Sequence, residues 1–121
     1  VILKYKTSVD RVGDYATTFL EEKMLILFGK DAPAELEEYC VSIVMNDVQG
    51  SIKVGDILQL KDREYRITAI GDAVENNLAT LGHITLKFDS SALPELPGTL
   101  YLEDQPISQL DTGDEIKIYE R

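Results

Sequence analysis

Histidine, cysteine and tryptophan are almost missing from this chain, whose 121 residues include one His, one Cys and no Trp. A single cysteine excludes an internal disulfide, and with only His83 beside Cys40 no zinc set of sulfur and nitrogen ligands can be assembled. No metal and no cofactor are expected, and reduced-thiol usage of this kind fits the cytosol. Long apolar runs are lacking too. None approaches the roughly 20 residues that span a bilayer, and residues 1–12 do not have the basic-then-apolar layout of a secretory signal. Direct membrane insertion is therefore not expected. Positive charge is scarce: 12 Lys and Arg stand against 22 Asp and Glu, a net charge of −10. That surplus repels nucleic-acid phosphates and anionic surfaces, so no nucleic-acid partner is expected and a basic protein partner is favoured.

What is present is a foldable chain. Hydrophobic residues make up 44% and the acids are spread along the sequence, which is not the pattern of a disordered acidic tail. The length suits one domain over residues 1–121, with a core that needs no staple.

Residues 1–12 carry β-branched and aromatic residues with partial alternation at Leu3, Tyr5, Thr7 and Val9, which reads as a strand ended by Gly13-Asp14. Tyr15 to Lys23 loses that period and reads as a short helix. Met24 to Phe28 is a continuous apolar run of strand length closed by Gly29. Asp31 offers a cap oxygen ahead of a short helix over Ala32 to Glu38, with Pro33 in its first turn. Tyr39 to Met45 is the next strand, Asn46-Asp47 a turn, and Val48 to Ile52 a further extended piece. Gly55-Asp56 and Gly113-Asp114 repeat one device, a glycine able to take positive φ directly before a strand. Asp56 to Leu60 and Tyr65 to Ile70 form a hairpin across Lys61 to Glu64. Asp72 to Leu81 places Val74, Leu78 and Leu81 at helical spacing behind a candidate cap in Asp72. Ser90 to Gly98 is a proline-containing surface loop, and Thr99 to Leu102 and Ile116 to Tyr119 complete the strands. The fold expected is all-β and mainly antiparallel, a small barrel or two-sheet sandwich of about eight short strands with two or three helical segments.

His83 stands in Leu81-Gly82-His83-Ile84-Thr85-Leu86-Lys87-Phe88. As a strand, that octet sends Ile84, Leu86 and Phe88 to one face and His83, Thr85 and Lys87 to the other. The apolar trio belongs to the core, so the imidazole faces out. An outward imidazole beside a hydroxyl, after a glycine that leaves the backbone uncrowded, can accept and release a phosphoryl group. A lone surface histidine is also an ordinary feature of soluble proteins, and a second reading is a non-catalytic acidic β-barrel adaptor or regulator.

Four stretches in order, Asp31-Ala32-Pro33-Ala34-Glu35-Leu36-Glu37-Glu38-Tyr39-Cys40, Tyr65 to Gly71 with Asn77-Leu78 after it, Leu81 to Asp89, and Leu96-Pro97-Gly98-Thr99, resemble the glucitol/sorbitol-specific enzyme IIA component of the bacterial phosphotransferase system. The resemblance implies a mostly-β cytoplasmic phosphocarrier that takes a phosphoryl group from phosphohistidine on HPr. It implies delivery to a cysteine of the IIB component, which serves hexitol uptake through the membrane component IIC. It also implies an acceptor histidine on the strand after Glu-Glu-Tyr-Cys, where this chain has Ile43. Either His83 is the acceptor or the chain is an inactive relative; the first is the expectation.

In that role His83 must be unprotonated at one ring nitrogen, and its other nitrogen needs a fixed oxygen, from a backbone carbonyl or Glu75. Thr85, about 7 Å along the same strand face, is placed to hydrogen-bond a phosphate on His83, and Lys87 at about 13 Å acts mainly through solvent. Asn76, Asn77 and Gly82 are candidates to line the site. Cys40 is expected to pack as a small hydrophobe rather than react. Gly29-Lys30-Asp31 lacks the rest of a phosphate-binding loop. Glu21, Glu22, Glu35, Glu37 and Glu38 read as solvated faces able to steer a basic partner, and Ala79, Leu81 and Leu96 as apolar docking residues.

Overall fold

Eight strands close into a barrel in the computed structural model, which describes residues 1–121. They are β1 (Ile2–Val12), β2 (Met24–Gly29), β3 (Val41–Ile43), β4 (Ile57–Leu60), β5 (Arg63–Ile70), β6 (Ile84–Lys87), β7 (Thr99–Leu102) and β8 (Glu115–Glu120). Around the barrel the order is β1-β3-β2-β6-β7-β5-β4-β8. Closure leaves no open edge, which selects the barrel over the sandwich. Pairing is mainly antiparallel, with β2–β3 and β6–β7 parallel. Those two exceptions arise because α1 (Ala34–Glu37) links β2 to β3, and the 89–98 loop carries the chain from β6 back to the start of β7.

The interior is filled by one alternate face of each strand. Leu25 and Leu27 of β2, Val41 and Ile43 of β3, Leu58 and Leu60, Tyr65 and Ile67, Ile84 and Leu86, Leu100 and Leu102, and Ile116 and Ile118 form one apolar cluster. Tyr65 and Phe88 meet edge to face inside it, with centroids 4.9 Å apart. Burying a side chain of this kind contributes roughly 1.5–3 kcal/mol, which is why the inward positions rather than the turns set the strand registers.

The repeated Gly-Asp corners are turns of one design. Gly55 and Gly113 have φ of 96° and 92°. Asp56 and Asp114 each accept, at 2.8 Å, the amide hydrogen of the residue three back, Lys53 and Asp111. The hairpin over β4 and β5 turns on Lys61 and Asp62 alone, tighter than the four-residue link expected.

Further expectations change. The strand expected over Tyr39 to Met45 is confined to Val41–Ile43, and the helix expected over Ala32 to Glu38 to Ala34–Glu37. Tyr15 to Lys23 is a chain of turns with one 3-10 helix at Leu20–Glu22, because its amides bond carbonyls three residues back and Lys23 sits at φ 61°. Val48 to Ile52 is not a strand: Ile52 plugs the core while its amide donates to the Glu75 carboxylate instead of a neighbouring strand. Neither Asp31 nor Asp72 caps a helix; the cap positions fall on Pro33 and Ala73 without a side-chain bond. The expected helix over Asp72 to Leu81 is shorter, α2 (Val74–Thr80), and β6 starts one residue after His83.

Candidate functional site

The alternation around His83 persists although the strand begins at Ile84. Ile84, Leu86 and Phe88 are buried, while His83, Thr85 and Lys87 lie half-exposed on the outer face. β6 pairs antiparallel with β2, Met24 facing Lys87, Ile26 facing Thr85 and Leu27 facing Ile84. One further step of that register sets Phe28 opposite His83, and directly opposed side chains on one face of an antiparallel pair touch. The two rings stack, with centroids 4.2 Å apart and planes 10° from parallel. On the far side of Phe28 the parallel register brings Ser42 of β3 level with it.

The backbone at His83 is held as closely as the ring. Asn77 in the middle of α2 offers its carbonyl oxygen to the amides of Leu81, at 2.9 Å, and of His83, at 3.3 Å. Gly82 has φ of 66°, and the Gly29 amide donates to the Leu81 carbonyl at 3.0 Å. A Cβ on Gly82 would stand 2.9 Å from both the Gly29 nitrogen and the Met45 sulfur. Glycine is therefore required here twice, for its backbone conformation and for the close approach of the two chain segments. Gly82→Ala is expected to lower stability by at least about 1–2 kcal/mol, the cost of the left-handed backbone alone, and to shift His83 off Phe28. Urea unfolding and the His83 ring-proton shifts, which stacking on Phe28 displaces, check the two effects separately.

His83 opens into a groove of about 230 Å³. Phe19, Ile26, Phe28, Leu36 and Tyr39 supply its apolar wall, Cys40 also borders it, and Glu35 is its only charged residue. Tyr39 lies between Tyr15 and Phe19, with ring centroids 5.6 and 6.1 Å away, so an aromatic rim flanks the entrance. Burial in this apolar setting holds the His83 imidazole below its ordinary pKa of 6.5, and the same cause pushes the Cys40 thiol up. Hence at pH 7 the imidazole is neutral and nucleophilic while the thiol stays protonated.

The residues singled out in the sequence separate into two groups. Gly82, Asn77 and Thr85 gather around His83, Asn77 through its carbonyl, and Thr85 two residues along the same face with its amide donating to Gly98. Glu75 sits in the first turn of α2, bound to Ile52, and does not reach the second ring nitrogen; Asn76 is exposed, its carbonyl taken by the Thr80 hydroxyl. Leu81, Ala79 and Leu96 are exposed but stand outside the groove, whose wall comes instead from residues 19–39. The signal that could have found that wall is the pair of large apolar residues Leu36 and Tyr39 in an otherwise acidic stretch, with two earlier aromatics in Tyr15 and Phe19. Glu37 and Glu38 are tied to Arg11, which holds the Glu38 carboxyl below its usual range, whereas Glu21, Glu22 and Glu35 stand exposed. Ile43 points into the core and is fully buried.

Comparison with known proteins gives one answer. A family model described as the PTS system glucitol/sorbitol-specific IIA component matches residues 4–117. PTS system glucitol/sorbitol-specific EIIA components of Shigella flexneri and Escherichia coli are 37% and 36% identical over 113 residues, covering 93% of this chain and 92% of theirs. The crystal structure of a PTS system IIA component from Enterococcus faecalis superposes with a TM-score of 0.85 at 28% identity, covering 96% of this chain and all of that one. No helix here is long and apolar enough to cross a membrane.

Proposed function

The chain belongs to the glucitol/sorbitol-specific IIA family of the phosphotransferase system, a family of phosphocarriers, and we propose that in this member the phosphoryl group is carried on His83. The single observation that carries this reading is the placement of the chain's one imidazole, stacked on Phe28 at the wall of an open apolar groove, while Ile43 is sealed in the core.

Transfer then runs as follows. HPr docks its phosphohistidine over the groove, and the lone pair of the unprotonated His83 nitrogen attacks phosphorus from the side opposite the donor imidazole. The new N–P bond forms as the donor's N–P bond breaks, the donor ring leaving with the bonding electron pair. The transition state spreads negative charge over three equatorial oxygens, so the acceptor's task is placement more than covalent help. Thr85 supplies a hydroxyl donor on the same face. In the second half the thiolate of a IIB cysteine attacks the phosphorus on His83, the imidazole now leaving. The sugar is phosphorylated downstream, with IIC providing the membrane passage. The aromatic rim and exposed Glu21, Glu22 and Glu35 suit a partner with an apolar contact and a basic surround. Residues 1–121 act as one IIA domain in the cytosol, beside the soluble donors of the pathway.

The test is labelled phosphotransfer. Incubation with enzyme I, HPr and labelled phosphoenolpyruvate yields an acid-labile, base-stable phosphate on this chain, discharged on addition of the matching IIB. No label under conditions that charge a control IIA would leave the adaptor reading in its place.

A further inference from the structure

A histidine that must present one nitrogen to a bulky donor is ordinarily oriented by a hydrogen bond to its other nitrogen. His83 lacks that device. Glu75, the one acidic side chain of α2, is engaged by Ile52, and burial is the sole cause of the perturbed imidazole titration, with no hydrogen bond to either ring nitrogen contributing. What the imidazole has instead is Phe28, nearly parallel at 4.2 Å and itself only 8% exposed. Phe28 is fixed from both sides, by the β2–β6 register that opposes it to His83 and by the parallel β2–β3 pairing that sets it level with Ser42.

We infer that Phe28 is the positioning residue of the phosphoryl-transfer site, its ring fixing the plane of the His83 imidazole by stacking across β2 and β6 where other sites use a hydrogen bond. The inference rests on the reading of His83 as acceptor. A stack restrains the plane of a ring without engaging its edge, so both nitrogens stay free of internal partners and the nitrogen directed into the groove remains available for in-line attack. It also shields one face from water, which disfavours the protonated form. The titratable groups that border the groove with His83 are Glu35, Tyr39 and Cys40; β2 brings only Ile26 and Phe28, and Lys87 lies two strand positions beyond Thr85 on β6.

The test removes the aromatic plane and, with a smaller side chain, opens part of the imidazole face to water. With Phe28→Leu, single-turnover acceptance from phospho-HPr is expected to slow about tenfold at saturating donor, a modest case of the loss that misplacement of a reacting group causes. The donor concentration at half-maximal rate stays within about twofold. The His83 titration, followed by NMR on its ring protons, moves up toward its ordinary value. Phe28→Tyr, which restores an aromatic plane, returns both rate and titration to those of the native chain. Should Phe28→Leu fail to fold, the native chain decides: stacking at this distance displaces the His83 ring-proton resonances upfield, and their absence from that region overturns the inference. A folded Phe28→Leu protein with native rate and native titration also overturns it, provided His83→Gln abolishes acceptance. Label persisting on His83→Gln removes the acceptor reading itself, whatever Phe28 does.

Discussion

His83→Gln and His83→Ala are expected to fold normally and to take up no label from phospho-HPr, with acceptance reduced by at least about 10³-fold, since no residual nucleophile can replace the missing ring. The expectation is sharp because the chain has no second histidine. Cys40 borders the same groove, but its thiol is buried and held protonated, so it does not inherit the reaction. Placing a histidine at the position the family resemblance marks, Ile43→His in the His83→Gln background, does not rescue acceptance. That side chain faces the barrel interior with no exposed surface, and a donor cannot reach it. The same substitution lowers stability by exchanging a buried aliphatic for a polar ring without partners. The pH dependence of the native reaction follows from burial. The imidazole titrates below 6.5, so acceptance stays level from pH 8 down to about 6.5 and falls only below it, as the nucleophile is protonated. Stability follows the same sign: between the two pKa values the unfolded chain binds more protons at this site, so His83's contribution is present above 6.5 and is lost as pH falls through its lowered value. Rapid-quench acceptance rates of the native chain across pH check the first statement, and urea midpoints of the native and His83→Gln chains across pH check the second.

The residues that could be read from the sequence are those whose placement follows from local period. Ile84, Leu86 and Phe88 against His83, Thr85 and Lys87 is a period-2 statement, and it holds one residue beyond the strand itself. Both Gly-Asp corners are local as well, needing only a positive φ and a short carboxylate. The stack of Phe28 on His83 was not legible, because it joins residues 55 positions apart through a β2–β6 register that no short window encodes. Glu75 illustrates the converse error. Its sequence proximity to His83 suggested a partner, but seven residues of α2 separate the helix ends, and the carboxylate meets Ile52 from the long 44–56 connection. The groove wall likewise comes from residues distant in sequence, brought together when the 13–23 turns and α1 fold over the outer face of β2.

Asp56 and Asp114 provide the most direct separation of local turn from tertiary contact, because the two share a corner and differ in what lies behind it. Each carboxylate accepts an amide three residues back at 2.8 Å. Asp56 is also buried and accepts from the Lys4 ammonium at 2.7 Å, with Glu120 at 3.2 Å from the same nitrogen. The bulge of β1 between Leu3 and Tyr5 lets Lys4 turn inward beside Tyr5, so a cation and an aromatic ring are buried at consecutive positions. Removing one partner of a buried pair leaves the other charged and poorly solvated. Asp56→Ala is therefore expected to destabilise the barrel by about 3–5 kcal/mol, and Asp114→Ala, which loses only a turn bond, by about 1 kcal/mol. Asp56→Asn keeps an oxygen for the Lys53 amide and loses only the charge, so it falls between them. Burial alone would lower the Lys4 pKa, but the hydrogen bonds its ammonium donates to Asp56 and Glu120 outweigh it and the net position lies above 10.5. A raised lysine stabilises fully below its unfolded value and loses that contribution as pH rises through the folded one, so the native chain sheds this part of its stability only above about pH 10.5. Urea midpoints of the three variants, at neutral pH and above it, read out the whole series. The seam of β1, β4 and β8 lies across the barrel from β2 and β6, so phosphoryl acceptance by the folded fraction of each variant stays at the native rate, and a loss of activity beyond the folded fraction would show that the seam and the groove are coupled.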